Sequence, residues 1–352
     1  MDLQVHGIRR GDSGLESGRD AGRTGASSAA RPVYAALDLG TNNCRLLIAR
    51  PAPGGFRVID AFSRIVRLGE GLTRSDRLSD QAMERTLEAL RVCGAKIRRR
   101  GVTAARAVAT EACRRAVNCA EFVELVERET GIGIEIISSQ EEGRLALAGC
   151  AALLDPVHRY ALVFDIGGGS TELMWLAVPG DGPPRVLDQV SIRCGVIGLT
   201  ERYGGDRIAR AQYRSMVEEV AAEIEPFEER NGIRRRLAEG QVQMLGTSGT
   251  VTTLAGCHLG LPRYDRRVVD GSHLRVEHAR AIIGKLVTLD FDGRAGHPCI
   301  GPERADLVLA GCAVLEAICD CCPVDRLRIA DRGLREGILV DLIGVAQDGR
   351  EV

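Results

Sequence analysis

From Val33 onward, short apolar runs alternate with longer stretches whose apolar residues recur every three or four positions, the mixed signature of strands and amphipathic helices. Strand-like runs fall at 33–38, 44–50 and 56–68. Residues 79–100 read as a helix, with Ser79 as its N-cap and Met83, Leu87 and Leu90 as its apolar stripe. A strand at 104–109, helical segments at 110–117 and 119–130 with Asn118 able to cap the second, a strand at 134–137 and a helix at 139–153 complete the first half. The second half repeats the theme, with strands near 160–165, 172–177 and 186–194 and a long helix at 207–230. A strand at 241–245 then runs into a helix, and another helix begins near Val276. Pro302 and Glu303 open a helix through Asp320, followed by the strand LRIAD and a last helix from Leu334.

Within this pattern one loop occurs twice. Residues 38–47 read DLGTNNCRLL and residues 165–174 read DIGGGSTELM, each between two apolar runs. Asp38 aligns with Asp165 and Gly40 with Gly167, while Arg45 falls at the place of Glu172. A strand, an acid, a small-residue turn and a return strand form a hairpin whose tip presents backbone N–H groups to an anion, and its Asp can hold a divalent cation. Three hairpin-connected strands followed by αβα, twice over, predict an α/β protein of the actin-like ATPase (ribonuclease H-like) fold, two similar domains around a cleft. The expected division is 32–147 and 148–352, the last helix packing back on the first domain. Residues 1–31, rich in Gly, Arg, Ser and Asp and without an apolar stretch, read as a disordered extension and not a secretory signal.

Composition narrows the chemistry. The net charge of −1 gives no global pull toward nucleic acid or membranes, and no apolar run reaches the length of a membrane span. At 3% aromatic content there is no stacking platform for single-stranded nucleic acid. Of the 47 Lys and Arg residues only Lys96 and Lys285 are lysine, and no GxxxxGK[ST] loop exists. Any side-chain cation that grips phosphate here is arginine, with its bidentate fork. The 12 cysteines are scattered through helix-like and strand-like segments and read as small buried residues of a reducing cytosol. Cys319, Cys321 and Cys322 have no second pair nearby, so no zinc site is expected.

Individual constellations have bland and chemical readings. In DIGGGSTE three glycines let backbone approach a ligand, Ser170 and Thr171 add hydroxyls, and Asp165 and Glu172 can both point at a metal. GTSGTVTTLAG at 246–256 is a strand-to-helix turn that suits phosphate or tight packing equally. Glu141 and Glu142 open a helix at a strand's C-terminal edge, which the helix dipole alone would explain. Their spacing does not choose between them. Ser138 or Ser139 is the cap. Arg114, after VATEAC, should open on the same cleft edge, whereas the runs at 98–100 and 234–236 read as solvated helix ends.

Together ALDLGTNNCRLLIA, VRLGEGL (66–72), ATEACRRAVN (109–118), EIISSQEEGRLA (135–146), FDIGGGSTEL, GTSGTVTTLAG and DRGLREGIL (331–339) resemble the exopolyphosphatase/guanosine pentaphosphate phosphohydrolase (Ppx/GppA) family. The resemblance runs from about Val33 to the end. Thr41 and Asn43 stand where the family often has Ser, and the extra C-terminal helical domains of longer relatives have no counterpart. It implies Glu142 as the catalytic carboxylate, Asp165, Glu172 and Asp38 near Mg²⁺, and phosphate held by Asn42, Asn43, Arg45, Gly168, Gly169, Ser170 and Thr171, with Arg114 pointing into the cleft. The expected protein is a cytoplasmic, Mg²⁺-dependent exopolyphosphatase acting on inorganic polyphosphate, with a homodimer as its assembly. Hydrolysis of pppGpp is the alternative. An actin-like nucleotide-binding protein and a sugar or acetate kinase are more distant rivals.

Overall fold

The computed structural model describes residues 32–348. The extension expected at 1–31 lies outside the described residues. Both sheets belong to one compact unit that starts at Pro32.

The first sheet is built from β1 (Tyr34–Leu39), β2 (Asn43–Ala52), β3 (Gly55–Ile65), β4 (Ala104–Ala109) and β5 (Ile134–Ile136), in the order β3-β2-β1-β4-β5. Around it lie α1 (Asp80–Arg99), α2 (Glu111–Arg115), α3 (Cys119–Thr130) and α4 (Ser139–Cys150). The second sheet contains β6 (Tyr160–Ile166), β7 (Thr171–Ala177), β8 (Arg185–Ile192), β9 (Val242–Thr247), β10 (His273–Arg275) and β11 (Arg326–Ala330). Its order is β10-β11-β9-β6-β7-β8. Its main helices are α5 (Val196–Tyr203), α6 (Arg210–Asn231), α7 (Gly249–His258), α8 (Val276–Thr288), α9 (Val308–Cys321) and α10 (Leu334–Asp348). In each half an antiparallel three-strand meander continues into parallel strands, so β6, β7, β8, β9 and β11 repeat β1, β2, β3, β4 and β5. The repeat extends to irregularities. The register shifts at Ile48/Ala49 in one meander and at Trp175/Leu176 in the other, at the same offset from Asp38 and Asp165. This is the actin-like ATPase fold expected from the pattern. The edge strand β10 is an addition that the pattern did not reveal.

The equivalent helices α4 and α10 exchange partners. Ala146, Leu147 and Cys150 of α4 pack with Ala161, Val163, Met174 and Leu176 of the second sheet. Leu334, Ile338, Leu339 and Ile343 of α10 pack with Tyr34, Ala36, Leu47 and Val108 of the first. Burying each of the leucine, isoleucine, valine and methionine side chains among them stabilises by about 1.5–3 kcal/mol. The two helices touch at Gly149 and Gly337, where a Cβ would strike the carbonyls of Gly333 and Leu145 respectively. The last helix thus packs on the first lobe, and the boundary placed at 147 falls inside α4, which belongs to both.

Local signals mostly act as read. Ser79 Oγ accepts from Ala82 N at 3.2 Å, and Ser138 Oγ accepts from Glu141 N at 3.2 Å. Two readings change. The Asn118 side chain does not cap α3: it bridges the Leu78 backbone, accepting from its N–H at 2.9 Å and donating to its carbonyl at 3.0 Å. The helix expected from Pro302 starts at Val308, because residues 302–307 form turns tied across to the first lobe, where Arg67 grips Asp306 through two hydrogen bonds of 2.8 and 3.0 Å. Among the described residues no helix is long and apolar enough to cross a membrane.

Candidate active site

The two hairpins close identically. Gly40 N donates to Asn43 O at 2.9 Å, and Gly167 N donates to Ser170 O at 2.9 Å. Asp38 lies directly across from Arg45, and Asp165 directly across from Glu172. The tips meet one another. A Cβ on Gly168 would lie 3.0 Å from Asn42 N, and one on Gly169 would lie 2.8 Å from Thr41 Oγ1. Only glycine allows this approach, which leaves the tip N–H groups available to a ligand.

Between the lobes is a cavity of about 300 Å³. Asp38, Asn42, Asn43 and Arg45 line it from the first hairpin, and Asp165, Gly168, Gly169 and Ser170 from the second. Glu142, from the first turn of α4, completes the set. Three of the nominated residues stand behind this surface. Thr171 is fully buried and donates its hydroxyl to Cys194 O at 2.8 Å, so it has no hydroxyl to offer phosphate. Glu172 is buried too, its Oε1 accepting from Ser170 Oγ at 2.6 Å and Ser191 Oγ at 2.9 Å. Arg114 lies behind Glu142, donating from Nη1 to Glu142 Oε2 at 2.7 Å and to Ile137 O at 3.0 Å, and from Nε to Glu111 Oε2 at 3.1 Å.

The neighbouring glutamates are now distinct. Glu141 faces away from the cleft and is gripped by Arg144 and Arg106, which hold its carboxyl down to about 2. Glu142 goes the other way. Burial, then the charge of Glu172, raises its pKa well above the ordinary carboxylate value, against the pull of Arg114. Asp165 is pushed up to about 7 by burial and by Glu172, and Asp38 is raised by burial while Arg45 and Arg335 oppose it.

This donor set fits a hard divalent cation. Asp38 and Asp165 contribute carboxylate oxygens whose ionised form has no hydrogen bond supporting it, and Asn42 Oδ1 is buried without a partner. Among the described residues no three His, Cys, Asp or Glu side chains cluster tightly enough to cage a metal alone. Mg²⁺ does not need such a cage, since it keeps several waters and takes one or two carboxylates plus substrate phosphate.

Tertiary structure adds residues that the sequence reading had not nominated. Arg304 and Arg335 line the cavity, burial depresses the pKa of each, and among the described residues neither forms an ion pair to a carboxylate. Arg335 lies inside the DRGLREG run that the family pattern had already marked. Glu111 joins the wall. Ser248, in the GTSGT turn, holds φ at 140°, a conformation that L residues rarely adopt. Its side chain meanwhile accepts from the N–H groups of Thr250 and Val251 at the start of α7. Such strain costs on the order of 1–3 kcal/mol and concentrates at functional sites.

Fold and cavity define a two-lobed α/β protein with a polar cavity between duplicated hairpins. The chain belongs to the Ppx/GppA phosphatase family, whose model matches residues 47–345. It is 31% identical over 317 residues to a guanosine-5'-triphosphate,3'-diphosphate pyrophosphatase of Aeromonas hydrophila, covering 90% of this chain and 60% of that protein's length. A crystal structure of the Aquifex aeolicus family member superposes with a TM-score of 0.73 at 28% identity, covering 90% of this chain and 98% of the other. An exopolyphosphatase-like protein superposes with a TM-score of 0.77 at 31% identity, covering 88% and 97%.

Proposed function

We propose that this chain is a phosphoanhydride hydrolase that removes the 5'-terminal phosphate of guanosine 5'-triphosphate 3'-diphosphate. The observation that carries the reaction class is the convergence of Glu142, two tip backbones and the arginines Arg45, Arg304 and Arg335 on one cavity. The nucleotide substrate is favoured by the similarity to the Aeromonas hydrophila enzyme, ahead of the polyphosphate expected from the family resemblance.

In this reading the terminal phosphate lies against the Gly168 and Gly169 N–H groups and Asn43, while the nominated Ser170 hydroxyl, like that of Thr171, is already donated, in its case to Glu172. Arg45, Arg304 and Arg335 offset its charge. Phosphoryl transfer requires positioning and charge neutralisation more than covalent participation by the protein. Glu142, whose raised pKa makes it a stronger base than a free carboxylate, accepts the proton of the attacking water. Arg114 fixes the Glu142 carboxylate by the 2.7 Å hydrogen bond while its other donor engages Glu111. Asp38 and Asp165 would hold Mg²⁺, with Glu172 behind Asp165. When bound, Mg²⁺ supplies further neutralisation of the phosphate oxygens.

The test is phosphate release from pppGpp and from long-chain polyphosphate, with and without Mg²⁺. The expected result is a higher kcat/KM on pppGpp. A preference for polyphosphate supports the second reading, an exopolyphosphatase, which the similarity to the exopolyphosphatase-like structure favours. Release from neither substrate refutes both.

A further inference from the structure

Behind the hairpin tips lies a second cavity, of about 190 Å³, room for several waters at ~30 Å³ each. Thr41, Glu111, Gly168 and Gly169 line both this cavity and the main one, so only the tips and the Glu111 side chain divide them. The opposite side carries Arg115, Arg193 and Arg202. Arg202 is held by Glu219, and Arg115 has only a loose pair with Asp76 at 3.6 Å. Among the described residues Arg193 has no ion pair, and it is exposed on the cavity rim. The one carboxylate in the wall, Glu111, is already matched by Arg114 at 3.0 Å. Arg193 therefore adds positive charge without an ion pair of its own, among the described residues, to a cavity walled by tip backbone, the Thr41 and Thr73 hydroxyls and the apolar side chains of Leu72, Ala112 and Ile197.

We propose that this rear cavity is a second phosphoryl-binding site, gripped by Arg193 and Arg115. A guanidinium fork matches the oxygens of a tetrahedral phosphate. The ligand comes from the reaction in the main cavity, either as released orthophosphate or as the remaining phosphates of the substrate. The inference rests on the hydrolase reading for the origin of its ligand, but not for the presence of the site.

Titration of the full chain with inorganic phosphate, by calorimetry or phosphorus NMR without any substrate, tests it. Wild type should show two phosphate sites. Arg193→Ala should weaken one by about ten-fold or more, the loss of a charge-assisted hydrogen bond, and Arg193→Lys should recover part of the affinity. Gly198→Val offers an independent block. A Cβ there makes only ordinary contacts, 3.6 Å to Arg202 Nη1 and 3.8 Å to Thr73 Oγ1, so the side chain can occupy the cavity without displacing backbone. Wild-type phosphate binding, at one site or two, that is unaltered in both Arg193→Ala and Gly198→Val overturns the proposal, as does no binding at all. Because the titration needs no turnover, an inactive enzyme would refute the hydrolase reading and leave this result standing. With turnover, an increased inhibition constant for phosphate identifies the product as ligand, and an increased KM at constant inhibition identifies the substrate's remaining phosphates.

Discussion

The first and second hairpins share backbone, register and even the position of a bulge, yet carry opposite charge at one equivalent place. Arg45 faces Asp38 in the first, and Glu172 faces Asp165 in the second. The first therefore compensates its own carboxylate and has Arg335 close by. The second accumulates acid: on top of burial, the charge of Glu172 raises the pKa of Asp165, and those of Glu172 and Asp165 raise that of Glu142. A duplicated scaffold has diverged in charge: one copy presents a cation to the cavity and the other concentrates carboxylates there, and in the proposed reaction these serve phosphate on one side and metal and base on the other.

The strongest way to break this comparison is to remove the two equivalent aspartates in turn. Asp165→Asn should lower kcat by about 10³-fold or more, the several kcal/mol a catalytic metal supplies, and EDTA should do the same to wild type. Asp38→Asn should cost less, because Arg45 and Arg335 remain to neutralise phosphate. Equal losses, or full activity in EDTA, would remove the asymmetry.

Next in size is Glu142→Gln, which keeps volume but cannot accept a proton. It should reduce kcat by at least ~10²-fold with KM nearly unchanged. Steady-state kinetics within a few-fold of wild type would falsify the assignment of Glu142 as base.

Arg45 tests the other hairpin. Arg45→Ala should increase KM by about 10- to 100-fold, a charged hydrogen bond's worth, and Arg45→Lys should restore part of it. Arg45→Glu, which copies the second hairpin's charge into the first, should be worse than alanine. If all three bind substrate alike, the first hairpin does not hold phosphate.

The smallest effect belongs to Glu141. Its folded pKa of about 2 is below the ordinary 4.5 because of Arg144 and Arg106. A depressed carboxylate stabilises the fold above pH ~4.5 and loses that contribution as pH falls toward ~2. Glu141→Gln should lower thermal stability at pH 7, approach wild type as pH falls and converge with it only below about pH 2, and leave kcat within a few-fold. A catalytic loss as large as that of Glu142→Gln would show that the two neighbours had been assigned in reverse.

Sequence alone determined what depends on local order. The two loops, the strand sequence, the serine caps and the fold class are written in residues close together in the chain, where hydrogen-bonding and periodicity act over a few positions. It could not separate Glu141 from Glu142, since successive helix residues point about 100° apart and only the docking of α4 decides which faces the cleft. Nor could it turn Thr171 inward onto Cys194 O, bury Glu172 between two serines, or bring Arg304 and Arg335 to the cavity that Asp38 lines from far along the chain. The exchange of α4 and α10 between lobes, with backbone touching at Gly149 and Gly337, is likewise a product of long-range packing. Side-chain direction at a cleft is set by the surfaces that meet there, and those surfaces become neighbours only when the two halves fold against each other.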